Sequence, residues 1–230
     1  MNRGLKSVIM MYRRDLFSWI YLPWMIMLSS FVVNLIIATS MQEEFTTGGL
    51  LSIFIYIYIV GLVTVNQTFS FALSLCISRR DYFAGSSLAI VVIALFHALL
   101  MTIVASIEKA VGSWGGMNFF VLPDTSDGPA WQTFFVFFIA LLLMFFIGFA
   151  SSSLSRRFGK KGNFILYGGA FVLGGGLTTI ASLRGWWTPM YEWFIDLQPT
   201  LAGIMSVLLV FSAVLALLSW LMLRRSAVRA

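Results

Sequence analysis

The feature that most limits what this chain can fold into is where its charges are missing: residues 49–77 run for 29 positions without one Asp, Glu, Lys or Arg. Five more stretches are similar: 16–40, 86–111 (charged only at Glu108 and Lys109, near its end), 131–154, 163–183 and 201–223. A helix needs about 20 predominantly apolar residues to cross a bilayer. The runs are continuous rather than alternating, and far longer than the roughly 10 residues of a barrel strand. In lipid the backbone must satisfy its own polar groups, which leaves helices. With 60% hydrophobic and 10% charged residues and a mean hydropathy of +0.92, the chain lies outside the soluble range. The expected fold is an all-α integral membrane protein: one transmembrane domain over 1–230, six spans, and a helix over 1–15 ahead of them.

The basic residues orient these spans, because loops rich in Lys and Arg stay on the cytoplasmic side. Arg3, Lys6, Arg13 and Arg14 precede the first run; Arg79, Arg80, Arg156, Arg157, Lys160 and Lys161 follow the second and fourth; Arg224, Arg225 and Arg229 end the chain. Lys109 and Arg184 fall on the other side, with Glu43, Glu44, Glu108, Asp124, Asp127, Glu192 and Asp196. Both termini are therefore expected in the cytoplasm. The net charge of +6 then reports topology, and no nucleic-acid partner is expected. The first run is too long for a signal peptide, contains Pro23 and lacks a small-residue cleavage site, so it reads as a retained span. Before it, Leu5, Val8, Ile9, Tyr12 and Leu16 recur at helical spacing opposite Arg3, Lys6, Met10 and Arg13. This suits a helix in the cytoplasmic interface, the alternative being a disordered basic tail. Trp19, Tyr21 and Trp24 mark the boundary.

Chemistry inside a membrane leaves charged marks, since an ion at mid-bilayer costs about 2.5–3.5 kcal/mol on insertion scales. Here Glu108 and Lys109 sit near a span end, where they can snorkel. His97 reads as a neutral core histidine or a proton relay. The single Cys76 excludes an internal disulfide and a multi-thiolate zinc site, and is expected to serve packing. No His-Glu-x-x-His, Gly-x-Ser-x-Gly or phosphate-loop pattern occurs, so neither an enzyme nor a chain-bound cofactor or metal is expected. Ser30 and Asn34 on the first span, and Asn66 and Gln67 with Thr64, Thr68 and Ser70 on the second, could line a pathway or tie helices together. On the fifth span Gly168, Gly169, Ala170, Gly174, Gly175 and Gly176 form a small-residue surface, expected to pack helices within the subunit or across a dimer.

As a helix the second run would be about 43 Å long against about 30 Å of hydrocarbon, so it should tilt or project into the cytoplasm. A short turn or helix over 78–83, ended by Gly85, would then present its arginines to headgroups or a partner, with Tyr82 and Phe83 as an apolar anchor. Ser86 would be the N-cap of the third span.

The run FSFALSLCISRRDYFAG, residues 69–85, resembles the end of the second span and first cytoplasmic loop of permease subunits of bacterial type-2 ABC exporters, particularly Gram-positive ones. The overall layout is similar to theirs, and so is the aromatic segment 184–199, with Trp186, Trp187, Pro189, Tyr191, Trp193 and Phe194. There the family places a re-entrant hairpin; an interfacial loop is the alternative. Cys76-Ile77 departs from the family's usual glycine before the Ser-Arg-Arg. The resemblance implies the type-2 ABC permease fold in a bacterial cell membrane. It further implies that Ser78, Arg79, Arg80, Asp81, Tyr82 and Phe83 couple to a separate cytoplasmic ATPase subunit that binds ATP and Mg. A second copy or a related permease chain and membrane lipid would be the other partners, and an amphipathic or hydrophobic drug, peptide or lipid the exported cargo. A stand-alone secondary carrier, or a scaffold or immunity protein that transports nothing, is the other reading of the residues.

Overall fold

Apolar runs that can hydrogen-bond only along themselves become helices. The computed structural model describes residues 3–40, 45–121, 128–196, 200–224 and 226. Glu43, Glu44, Asp124, Asp127, Pro199, Arg225 and Arg229 lie outside them, as do the side chains of Arg3, Lys160, Phe194 and Asp196. The helices are α1 (Arg3–Arg14), α2 (Leu22–Ser40), α3 (Leu51–Ser74), α4 (Arg79–Val111), α5 (Ala130–Phe158), α6 (Lys160–Leu183), α7 (Trp187–Asp196) and α8 (Leu201–Arg224). A π-helical turn, Phe17–Tyr21, joins α1 to α2, and two-residue strands β1 (Phe45–Thr46) and β2 (Met117–Asn118) pair in parallel. Among the described residues five helices are long and apolar enough to cross a membrane: Phe17–Ser40, α3, α4, α5 and α8. The protein is thus an all-helical, multi-pass membrane protein. In α6 the apolar stretch Tyr167–Leu183 is shorter.

Most boundaries fall within a few residues of those expected from the sequence; the second connector does not. α3 stops at Ser74, and residues 75–78 form a turn in which Cys76 takes φ 56°. α4 then starts at Arg79, seven residues before the expected cap at Ser86. Ser78 is the true N-cap: its Oγ accepts from the Asp81 amide at 3.1 Å and donates to Asp81 Oδ2 at 2.9 Å. The first bond satisfies one orphan amide of the helix start, and the second holds a carboxylate at the positive end of the helix dipole. Gly85 does not end the element; it lies against α1, where an added Cβ would come within 2.7 Å of the Val8 Cβ. Ser86, inside the helix, bonds Tyr12. The length beyond the bilayer therefore belongs to α4, whose 33 residues span about 50 Å, and not to α3.

α5 is the central helix, packed against α3, α4, α8 and α6, with Phe137, Phe145 and Phe149 fully buried. At its crossing with α3 the backbones touch. A Cβ on Gly61 would meet the Phe145 carbonyl oxygen and lie 3.0 Å from the Phe149 nitrogen; one on Gly148 would meet the Tyr58 oxygen and lie 2.8 Å from the Leu62 nitrogen. Lipid is as apolar as the side chains, so close backbone approach is what holds membrane helices together. Five glycines of α6 have no such role among the described residues: a Cβ on Gly168, Gly169, Gly174, Gly175 or Gly176 would meet nothing within 4 Å, and Ala170 is exposed. Their packing inside the subunit, one of the two expected uses, is not found. α6 instead touches α5 and shares a 3.3 Å hydrogen bond, Tyr167 to Tyr58 on α3.

Both ends of the bundle are identifiable. Arg79 at the start of α4 donates to the Arg224 carbonyl at the end of α8 (2.9 Å), and Arg156 near the end of α5 donates to Ser70 near the end of α3. At the opposite end the starts of α5 and α8 share an apolar cleft lined by Trp131, Phe135, Leu201 and Met205. α1 is an ordered helix, not a tail. Gly4 sits beside Asp81, Val8 against Gly85 and Tyr12 against Ser86, so α1 runs parallel to the first turns of α4. Val8 and Tyr12 are buried, and Lys6, Met10 and Arg13 exposed, as the amphipathic pattern requires.

Replacing Gly61 with Leu should force α3 and α5 apart and cost about 3 kcal/mol or more. The readout is the unfolding temperature of the detergent-purified protein; an unchanged value would refute the backbone contact.

Candidate functional site

Six residues, Ser78 to Phe83, were expected to form a short turn or helix at the surface ended by Gly85; they are the N-cap and first turn and a half of the long helix α4, and their environments differ sharply. Arg80 is exposed. Arg79 is half-buried and occupied by α8, with the Leu223 carbonyl (3.5 Å) as a second acceptor. Asp81 is half-buried and committed to the helix cap. Tyr82 is fully buried, which corrects its expected role as an outward anchor. Its hydroxyl shares a 2.8 Å hydrogen bond with Thr68 of α3, and its ring meets the Phe69 ring edge-on at 5.2 Å. Phe83, partly buried, packs on Trp220 of α8 (5.4 Å) and Phe149 of α5 (6.2 Å). Arg80, Phe83, Ala84, Trp220 and Arg224 line a shallow opening of about 600 Å³.

The neighbouring α1 is bound into the same cluster. Tyr12 and Ser86 share a buried hydrogen bond of 2.8 Å, and the Tyr12 ring meets Trp19 edge-on at 5.1 Å. Burial pushes the Tyr12 phenol above its ordinary value of 10, outweighing the hydroxyls beside it. The proton therefore stays on at neutral pH and the bond to Ser86 persists. Arg156 stacks over the Phe69 ring at 5.4 Å. The α4 start is thus joined to α1 and α3 by hydroxyl pairs that separation would strand, and to α8 by Arg79 and Phe83.

The polar groups considered for a pathway are not brought together. Asn34 Nδ2 donates to the Ser30 carbonyl (2.8 Å), and Ser30 Oγ to the Gly49 carbonyl (3.4 Å), near Phe119 at the end opposite the arginines. Asn66 is exposed and bonded to Leu62 on its own helix (3.2 Å); Gln67 lines a separate cleft. Asn34 thus bonds within α2, and Ser30 reaches from α2 to the residue pair before α3.

Glu108 departs from the expected snorkelling. It is 1% exposed and accepts from the backbone amides of Phe119 and Phe120, both at 2.7 Å, and from Trp114 Nε1 at 3.2 Å. An intramembrane-edge carboxylate is here the anchor of the loop after α4. Its sequence signal was weak, because the donors are backbone amides 11 and 12 residues on. His97 is a core histidine, fully buried, with Nδ1 2.8 Å from the Ile93 carbonyl and its ring stacked on Trp24. Its Nε2 and the Trp24 Nε1 have no partner among the described residues. Cys76 is exposed in the turn, not packed. Among the described residues no three His, Cys, Asp or Glu side chains cluster as a metal site would require.

The aromatic segment is a helix-turn-helix: α6 turns at Gly185 (φ 64°) into α7, with Trp187 Nε1 bonded to Ser182 Oγ at 2.9 Å. Trp186, Tyr191 and Trp193 are exposed. Neither protein-family models, curated proteins nor solved structures match this chain.

Glu108→Gln should leave one of three buried donors poorly paired, at a cost of about 1–3 kcal/mol. Protease added to the outer face of proteoliposomes should then cleave residues 112–121 faster; unchanged cleavage would show that the carboxylate does not hold the loop.

Proposed function

We propose that this protein is the membrane-spanning permease subunit of an ATP-driven ABC exporter in a bacterial cell membrane, carrying an amphipathic or hydrophobic cargo. The observation that carries the reading is the construction of the α4 start. It presents an exposed Arg80 while its neighbours Arg79, Tyr82 and Phe83 bind it to α8, α3 and α5. Such a turn is a lever: force applied to it by a separate ATPase would reach several spans at once. ATP and Mg belong to that partner, since this chain carries no phosphate loop.

In this reading α6 is the sixth crossing. α5 ends beside the end of α3, and the start of α4 lies beside the end of α8, whereas α8 begins beside the start of α5. The chain has to return between them, and α6, with 24 residues or about 36 Å, is the element available. Both termini then share the cytoplasmic face with the arginines. A second permease chain, identical or related, would cover α6, whose Phe171 is 82% exposed and whose Ala170, Gly174 and Gly175 leave room for another helix at close range.

Arg80→Glu is the sharper test of coupling, because Arg79 also holds α8. The variant should insert and fold normally yet lose its ATPase on co-purification, binding it at least tenfold more weakly; undiminished recovery rejects the coupling role. Gly174→Leu should shift the purified permease from dimer to monomer by native mass spectrometry without lowering its unfolding temperature, and an unaltered dimer would remove α6 from the interface.

A further inference from the structure

Beside the lever lies a cleft that the coupling reading does not use. It is bounded by the end of α1, the π-helical turn and α3, is open on one side, and holds about 350 Å³, within the range of small-molecule sites. Its lining is amphipathic: Asp15, Ser18, Tyr56, Thr64 and Gln67 face it together with the Trp19 ring and aliphatic side chains of α3. The larger groove on the other flank of α1, about 410 Å³, is lined almost wholly by side chains such as Leu16, Ile20, Val92 and Phe96, which suits lipid chains alone.

Asp15 gives the cleft its sign. Ser18 donates to Asp15 Oδ1 through its hydroxyl at 2.9 Å and its amide at 3.4 Å, so the carboxylate is held in place. Among the described residues it pairs with no Lys or Arg. Arg13 lines the apolar groove instead, and among the described residues no basic side chain lines this cleft. Tyr56 donates to the Ser18 carbonyl at 2.8 Å, fixing the π-helical turn from across the cleft; such turns often mark functional sites. An anchored carboxylate in a cleft that Tyr56 and Trp19 also line attracts an organic cation by charge, and the aromatic rings suit its apolar stem.

We infer that this cleft binds an organic ammonium group borne on an apolar stem, the head at Asp15 and the stem along α3. This rests on the permease reading only in treating the ligand as cargo; the binding itself does not need the ATPase. An amine-headed phospholipid and a free cationic amphiphile share this chemistry.

The test uses the full-length chain without ATPase, in phosphatidylglycerol nanodiscs, with tritiated dodecylammonium as probe and dodecyl sulfate as the anionic control. Saturable binding of the cation alone is expected, at least tenfold weaker in Asp15→Asn at unchanged unfolding temperature. Should that variant not fold, Gln67→Leu should weaken binding in the same direction. Equal binding by wild type and a folded variant, or no saturable component in the wild type, overturns the site. Adding phosphatidylethanolamine to the discs separates the sources: competition assigns the site to a lipid headgroup, and its absence to a free amphiphile. An Arg80→Glu protein that sheds the ATPase but binds the probe normally shows the two readings to be separable, and each falls alone.

Discussion

The contact on which the rest of this bundle depends is the crossing of α3 and α5, where Gly61 and Gly148 let two backbones meet. In water, burial of side chains would drive such an association; in lipid that drive is absent, and dispersion between closely packed surfaces takes its place. Because α5 is seated there, its other faces can receive α4, α8 and α6.

The two ends of the bundle are then finished by different chemistry. At one, a buried carboxylate gathers three N–H donors and pins a loop to the end of α4. At the other, hydroxyl pairs, Tyr82 with Thr68 and Tyr12 with Ser86, join α1, α3 and α4, and arginines reach across to α3 and α8. Neutral hydroxyl bonds in a membrane contribute about 0.6–1.7 kcal/mol each. They hold the helices of this end in register. The anchored Asp15 lies in the same region, in a cleft bounded by α1 and α3.

Much of this was legible in the chain. Uninterrupted apolar runs located the crossing helices, and the basic clusters that share one end of the bundle were visible as a charge pattern. The amphipathic face of α1 was read correctly down to Val8 and Tyr12. What misled was the connector over 75–86. Gly85 resembled a stop and Ser86 a cap, but Ser78 caps the helix through the Asp81 amide, and the expected short turn or helix is continuous with the span. The glycines of α6 drew notice by their number, whereas the single glycines of α3 and α5 make the close contact. Spacing along one helix shows that a face is small; it does not show what lies opposite.

By itself, then, the sequence determined that the chain is a multi-pass helical membrane protein with its basic residues gathered at one end, because hydrocarbon tolerates neither unpaired backbone nor bare charge. Which side chains remain available was decided only by the tertiary structure. Tyr82 and Glu108 became internal fastenings, Arg80 stayed exposed, and Asp15 acquired a cleft. Each outcome depends on partners more than ten residues away or on other helices, and no local pattern encodes those.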